Sequence, residues 1–204
     1  MKYSAFLQTV LFVVFCLLYG VSNAQQQTIL VFGDSLSAAY RMPRTSGWVH
    51  LLQQELQRTY PQYKVVNASI SGETASGGSR RIAYALRQHS PSIVIVELGA
   101  NDGLRGAPIA DIEANLSSII RQSEKSNRKV LLVGIQIPPN YGKQYTSQFK
   151  AIYPRLAQRH RIELVPFMLD NIQPEQFQAD NLHPTASAQK QIMQTILARL
   201  KLLL

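Results

Sequence analysis

A chain of 204 residues, 46% of them apolar, is long enough for one ordinary domain with a full core of its own. Its net charge of +9 comes from bases scattered over Arg80-Arg81, Arg121 to Lys129 and Arg155 to Arg161, on stretches that read as polar helix faces without interleaved aromatics. That pattern predicts a solvated surface, no nucleic-acid partner and at most weak contact with a membrane surface. Cys16 is the only cysteine; it lies in a segment expected to be removed, so disulfides, thiol catalysis and thiolate-ligated metals are excluded.

The first 24 residues read as a secretory signal. Lys2 precedes an apolar run from Val10 to Tyr19, and Ser22-Asn23-Ala24 puts small residues at the −3 and −1 positions. The run is shorter than the ~20 residues a spanning helix needs. Cleavage after Ala24 is expected, leaving a periplasmic or secreted chain whose residues 25–204 form one domain.

Strand-like and helix-like segments then alternate. Thr28–Phe32 is a short apolar strand stopped by Gly33-Asp34-Ser35. Gly47–Tyr60, with Trp48, Leu52 and Leu56 at four-residue spacing, predicts a helix. Lys64–Ala68 reads as the second strand and Ser79–His89 as the next helix, with Ile82, Ala85 and Leu86 inward. The β-branched run Ser92–Leu98 predicts a buried central strand, and Asp111–Lys125 a helix on Ile112, Leu116, Ile119 and Ile120. Lys129–Ile135 is the fourth strand. Tyr145–His160 is helical in pattern, although Pro154 should kink or split it. Arg161–Val165 gives a short fifth strand, and Thr185–Leu202 a closing helix. The alternation predicts an α/β chain, a three-layer α/β/α sandwich around a five-stranded parallel sheet. Two loops, Ser69–Gly78 and Gln136–Gln144, are longer than their connections require.

Four short stretches carry the chemistry: Gly33-Asp34-Ser35, then Ala68-Ser69-Ile70-Ser71-Gly72-Glu73-Thr74, then Glu97-Leu98-Gly99-Ala100-Asn101-Asp102-Gly103, and finally Asp180-Asn181-Leu182-His183-Pro184. The first three follow strands that all point one way, so they must line one edge of the sheet. A serine nucleophile at Ser35 needs a base, and His183 suits that role; His50, His89 and His160 read as surface histidines on helices. Asp180, three residues before His183, is close enough to hold its Nδ1–H. Candidate oxyanion donors are the backbone N–H groups of Ser35 and Gly72 and the Asn101 amide, each worth ~3 kcal/mol of barrier if aimed correctly. Asp34 and Asp102 read as groups that fix their loops. Each residue has a plainer reading on its own: helix caps at Asp34-Ser35 and at Asp180/His183, a turn at Asn101. Ile137, Pro138 and Tyr141 in the long fourth loop are candidates for holding an apolar substrate group. No Gly-x-Gly-x-x-Gly, no Gly-Lys-Ser/Thr and no cluster of metal ligands is present, so no cofactor or metal is expected.

Taken in order, these four stretches resemble the four blocks of the SGNH (GDSL) hydrolases, across nearly the whole mature chain. Leu104-Arg105-Gly106 and Pro139-Asn140-Tyr141-Gly142 are similar to the family's branch of periplasmic esterases. The resemblance implies a flavodoxin-like layout and a cofactor-free monomer. It also implies a serine esterase acting on acyl-CoA, lysophospholipid and aryl esters through an acyl-enzyme on Ser35. A carbohydrate O-deacetylase would use the same machinery; a non-catalytic lipid- or glycan-binding module would have no use for all of it. Ala100 stands where that branch commonly has a second glycine, and its methyl should narrow the loop beside Asn101, with consequences for substrate range.

Overall fold

The computed structural model describes residues 26–204; the secretory signal read over residues 1–24 lies outside the described residues. Five strands make one parallel sheet: β1 (Gln27–Gly33), β2 (Tyr63–Asn67), β3 (Ile93–Glu97), β4 (Lys129–Val133) and β5 (Glu163–Val165), in the order β2-β1-β3-β4-β5. Helices alternate with them: α1 (Trp48–Thr59), α2 (Ala75–His89), the short α3 (Ala100–Leu104), α4 (Ile109–Glu124), α5 (Lys143–His160) and α6 (Gln189–Leu200). α1 packs with α6, while α2, α4 and α5 pack in sequence, so both faces of the sheet are covered. This is the α/β/α sandwich the alternation predicted.

The core follows from composition. All five positions of β3 are buried, as a strand covered on both faces must be. Each of its fully buried Ile and Val side chains contributes ~1.5–3 kcal/mol relative to exposure. The strand order fixes the site. The chain leaves β1 for β2 on one side and returns to β3 on the other, so the order reverses between the carboxyl ends of β1 and β3, where a crevice opens. Gly33 pairs with Glu97 at that level, which sets Ser35 and Asn101 on neighbouring loops.

Most element ends shift by one or two residues, and four features differ further from the sequence reading. α2 begins at Ala75 rather than Ser79, because the Thr74 side chain accepts a hydrogen bond from Gly77 N–H at 3.1 Å and caps a first turn disguised by two glycines. Pro154 does not split α5; the carbonyl it leaves without a partner, that of Lys150, lies on the exposed face. The closing helix starts with a 3-10 turn at Ala186–Ala188 before α6. The Asn101 stretch is a helical turn, α3, rather than a loop turn.

Candidate active site

The turn after β1 is held from several sides. Gly33 N–H donates to Ser69 Oγ at 3.1 Å, and Leu36 N–H to Asp34 Oδ1 at 3.0 Å. Asn67 Nδ2 donates to the Ser37 carbonyl, and Trp48 Nε1 to the Leu36 carbonyl. With its backbone fixed this way, Ser35 stands at the rim of the crevice.

His183 arrives from the far end of the sequence. Its backbone carbonyl accepts from Gln178 N–H, and the Gln178 amide donates to the carbonyls of Tyr40 and Pro184, tying this loop to the Ser35 turn. His183 Nε2 lies 2.9 Å from Ser35 Oγ, and its Nδ1 lies 2.9 Å from Asp180 Oδ2. The other Asp180 oxygen accepts from the N–H groups of Leu182 and His183. Partial burial works to raise the Asp180 pKa, but the His183 and Leu182 N–H groups and the imidazole outweigh it and hold the carboxyl down at about 2. The Tyr40 ring lies against the imidazole with centroids 4.3 Å apart.

Asn101 is brought to the same crevice, with its Nδ2 at 3.0 Å from both Asp34 Oδ2 and the Glu73 carbonyl. Both of its N–H bonds are therefore matched to protein acceptors in the resting site. Gly72 sits in the turn before α2 at φ +80°, a left-handed conformation that glycine adopts freely. That turn is anchored by Arg81, whose Nε donates to Glu73 Oε2 and whose Nη1 donates to the Ala68 carbonyl. Asp34 and Asp102 fix backbone, as read from the sequence: Asp34 holds Leu36 N–H and Asn101, and Asp102 accepts from Ala75 N–H at 2.8 Å. Asp34 is fully buried; burial pushes it up to about 7 against its two hydrogen bonds, with the like charges of Asp102 and Glu73 adding to the rise.

A cavity of about 70 Å³ opens beside Ser35, Asn101 and His183, with apolar walls from Leu36, Ala100, Leu104, Ile137, Pro138 and Leu182. Ile137 and Pro138 stand where the loop pattern put them. Tyr141 does not line the cavity: its hydroxyl donates to the Leu104 carbonyl at 2.9 Å and pins the loop to α3. Leu104 and Leu182 were read only as members of their motifs, and Leu169 not at all, because nothing local marks them as lining a cavity. Tyr40 was missed as well, though an aromatic five residues after the serine was a readable signal. His160 is corrected. It is no surface histidine: its side chain is 10% exposed, with Nε2 at 2.9 Å from Ser117 Oγ and Nδ1 at 3.1 Å from Glu124.

A doubly wound sheet with a serine, an imidazole and a carboxylate in hydrogen-bonded series at its switch point defines the class of α/β serine hydrolases. The chain belongs to the GDSL-like lipase/acylhydrolase family, whose model matches residues 31–191. It is 44% identical to the esterase TesA of Pseudomonas aeruginosa, over 89% of this chain and 92% of that one. It is 41% identical to thioesterase 1/protease 1/lysophospholipase L1 of Escherichia coli, over 86% and 84%. A solved structure of the psychrotrophic esterase EstA from a Pseudoalteromonas species, inhibited by monoethylphosphonate, superposes with a TM-score of 0.83 at 38% identity, covering 87% of this chain and 98% of that one.

Proposed function

We propose that this enzyme hydrolyses carboxylic esters and thioesters with Ser35 as nucleophile, His183 as general base and then acid, and Asp180 as its partner. The observation that carries the reading is the unbroken series Ser35 Oγ–His183 Nε2–His183 Nδ1–Asp180 Oδ2, with 2.9 Å at each hydrogen bond, at the mouth of an apolar cavity.

Ser35 Oγ attacks the acyl carbon as its proton passes to His183 Nε2. Asp180, ionised down to about pH 2, keeps the proton of the resting imidazole on Nδ1 and stabilises the imidazolium. The N–H groups of Ser35 and Gly72 and the Asn101 amide stabilise the oxyanion. A charged oxygen takes one Asn101 N–H from the neutral Glu73 carbonyl, since a charge-assisted bond is about twice as strong. Collapse of the intermediate breaks the bond to the leaving alcohol or thiol, which receives the proton from His183. Water, deprotonated by the same imidazole, then releases the acid and restores Ser35.

The esterase and the thioesterase/lysophospholipase among the relatives support acyl esters and thioesters as substrates, and the apolar cavity favours an acyl chain over an acetylated sugar. Export after cleavage at Ala24, a single domain over residues 25–204 and a monomeric state complete the proposal; no helix among the described residues is long and apolar enough to cross a membrane. The test is a fluorophosphonate probe with a hydrolysis panel of p-nitrophenyl esters, acyl-CoA esters and acetylated sugars. One label per chain on Ser35 and preference for acyl over acetyl substrates are expected. Labelling elsewhere would overturn the assignment.

A further inference from the structure

Directly beneath the Ser35 turn lie two carboxyl groups with no access to solvent: Asp34 and Glu97, both 0% exposed. Their hydrogen bonds are unequal. Asp34 accepts from Leu36 N–H on one oxygen and from the Asn101 amide on the other, so both oxygens of an ionised group are satisfied. Glu97 Oε2 lies 2.6 Å from Ser37 Oγ and 3.3 Å from Asp34 N, while Oε1 is buried with no partner at all. An orphaned oxygen of a charged carboxylate in a dry site is far more costly than the carbonyl oxygen of a neutral acid. The space is closed as well, since a Cβ on Gly33 would come within 2.6 Å of Glu97 Oε2. A glycine at the end of β1 is what allows this carboxyl to sit there.

We propose that Glu97 is a positioning residue for the nucleophile turn, and that it acts as an uncharged carboxylic acid whose proton lies on Oε2 and is donated to Ser37 Oγ. Above the Asp34 titration at about 7, the pair then holds one proton, on Glu97, and one charge, on Asp34. Through Asp34 N–H and Ser37 the acid braces the two sides of Ser35, and through Asp34 and Asn101 the brace reaches the oxyanion side. Ionising Glu97 would put a second negative charge under the point where the reaction develops its own. Burial holds the Glu97 carboxyl well above the usual range, and the Asp34 charge adds to the rise, against the bonds that the Ser37 hydroxyl and Asp34 N–H would donate to its ionised form. The other ionisable groups around the pair are Asp102 on α3, the buried Tyr153 phenol on α5, and Glu73 with Arg81. The one base of this set, Arg81, is engaged by Glu73 and the Ala68 carbonyl.

The proposal rests on Ser35 as nucleophile only for its kinetic half. The spectroscopic half stands alone. In infrared difference spectra between a pH just above the Asp34 titration at about 7 and a more alkaline pH, the wild-type enzyme should lose a protonated-carboxyl C=O band; the band should persist in Ser35→Ala and in Asp34→Asn and be absent from Glu97→Gln. The kcat of Glu97→Gln should stay within about threefold of wild type at neutral pH with its alkaline fall removed, while Glu97→Ala loses about tenfold or more in kcat at nearly constant KM. No protonated-carboxyl band in the wild type, or an unchanged band in Glu97→Gln, overturns the proposal. So does a Gln variant as impaired as Ala. Should Glu97→Gln not fold, Ser37→Ala serves in its place: removing the acceptor must shift the band, and an unshifted band overturns the assignment.

Discussion

Among the described residues lie two serine–histidine–carboxylate series with almost the same distances. At the crevice, Ser35–His183–Asp180 spans 2.9 Å and 2.9 Å; between the helices, Ser117–His160–Glu124 spans 2.9 Å and 3.1 Å. Only surroundings separate them. Ser117 stands inside α4, 5% exposed, and its Oγ also accepts from Arg121 at 3.0 Å, so no space awaits a substrate. The backbone N–H groups around a mid-helix serine are spent on the helix and offer no oxyanion donor. Ser35 lies on a turn at the carboxyl end of a strand, beside a cavity and an amide donor. Three side chains in series make a staple between α4 and α5 in one place and are proposed to make a nucleophile in the other, so the hydrogen-bonded series alone does not define catalysis.

The largest expected effect breaks the comparison outright. Ser35→Ala should lower kcat by at least about four powers of ten, as removal of a triad serine does elsewhere, while Ser117→Ala should leave it within about twofold. Steady-state rates on one p-nitrophenyl ester decide it. Equal losses would mean the helix series matters to chemistry.

Next come the two imidazoles. His183→Ala should cost kcat about three powers of ten or more, and Asp180→Ala less, since the base remains when its orienter is lost. His160→Ala should spare kcat but lower stability by about 1–3 kcal/mol, the usual cost of unpairing buried polar groups such as Ser117 Oγ. Thermal unfolding beside kinetics separates the two. A kinetic defect in His160→Ala with an unchanged Tm would contradict the assignment.

A third contrast uses pH, since the crevice holds carboxyls displaced in opposite directions. Asp180 is depressed from 3.8 to about 2, so its contribution to stability is present above pH 3.8 and lost as pH falls through about 2. Asp34 is raised from 3.8 to about 7, so its contribution is present below pH 3.8 and lost as pH rises through about 7. Asp34→Asn should flatten the decline in Tm between about pH 4 and 7, and Asp180→Asn the decline below about pH 4. Unchanged slopes in both variants would count against these ionisation states.

How much of this was legible from the sequence depended on how local each signal was. The five strands and the Ser35, Asn101 and His183 stretches were readable because strand periodicity, turn residues and short motifs repeat known local physics. That Pro154 would kink or split its helix was readable, but that it does not split it depends on whether the Lys150 carbonyl reaches solvent, a tertiary fact. His160 was misjudged for the same reason: its partners Ser117 and Glu124 lie more than thirty residues away on another helix. Glu97 was read only as part of the stretch before Asn101; its burial against Gly33 and Ser37 exists only once β1 and β3 pair.

The smallest effect concerns the cavity wall, where the crevice differs from the helix series most simply: it has room. An acyl chain entering beside Ser35 meets Leu104, Ile137 and Pro138. Each methylene enclosed there should add ~0.8 kcal/mol, so kcat/KM should climb about fourfold per carbon. The cavity is only about 70 Å³, so the climb should stop after the first few carbons, and longer chains should gain little more as they run out past the half-buried Pro138. Ile137 is 8% exposed and stands in the wall itself, so Ile137→Ser should flatten the climb while leaving acetyl esters nearly unchanged. Tyr141 acts at one remove, through the bond from its hydroxyl to the Leu104 carbonyl. Tyr141→Phe should loosen that wall and alter the plateau by less than Ile137→Ser does, within the ~1 kcal/mol of one hydrogen bond. A chain-length series of p-nitrophenyl esters on the three proteins measures all of it. If acetyl esters prove the best substrates and Ile137→Ser changes nothing, the cavity does not hold the acyl chain, and the sugar deacetylase becomes the better reading.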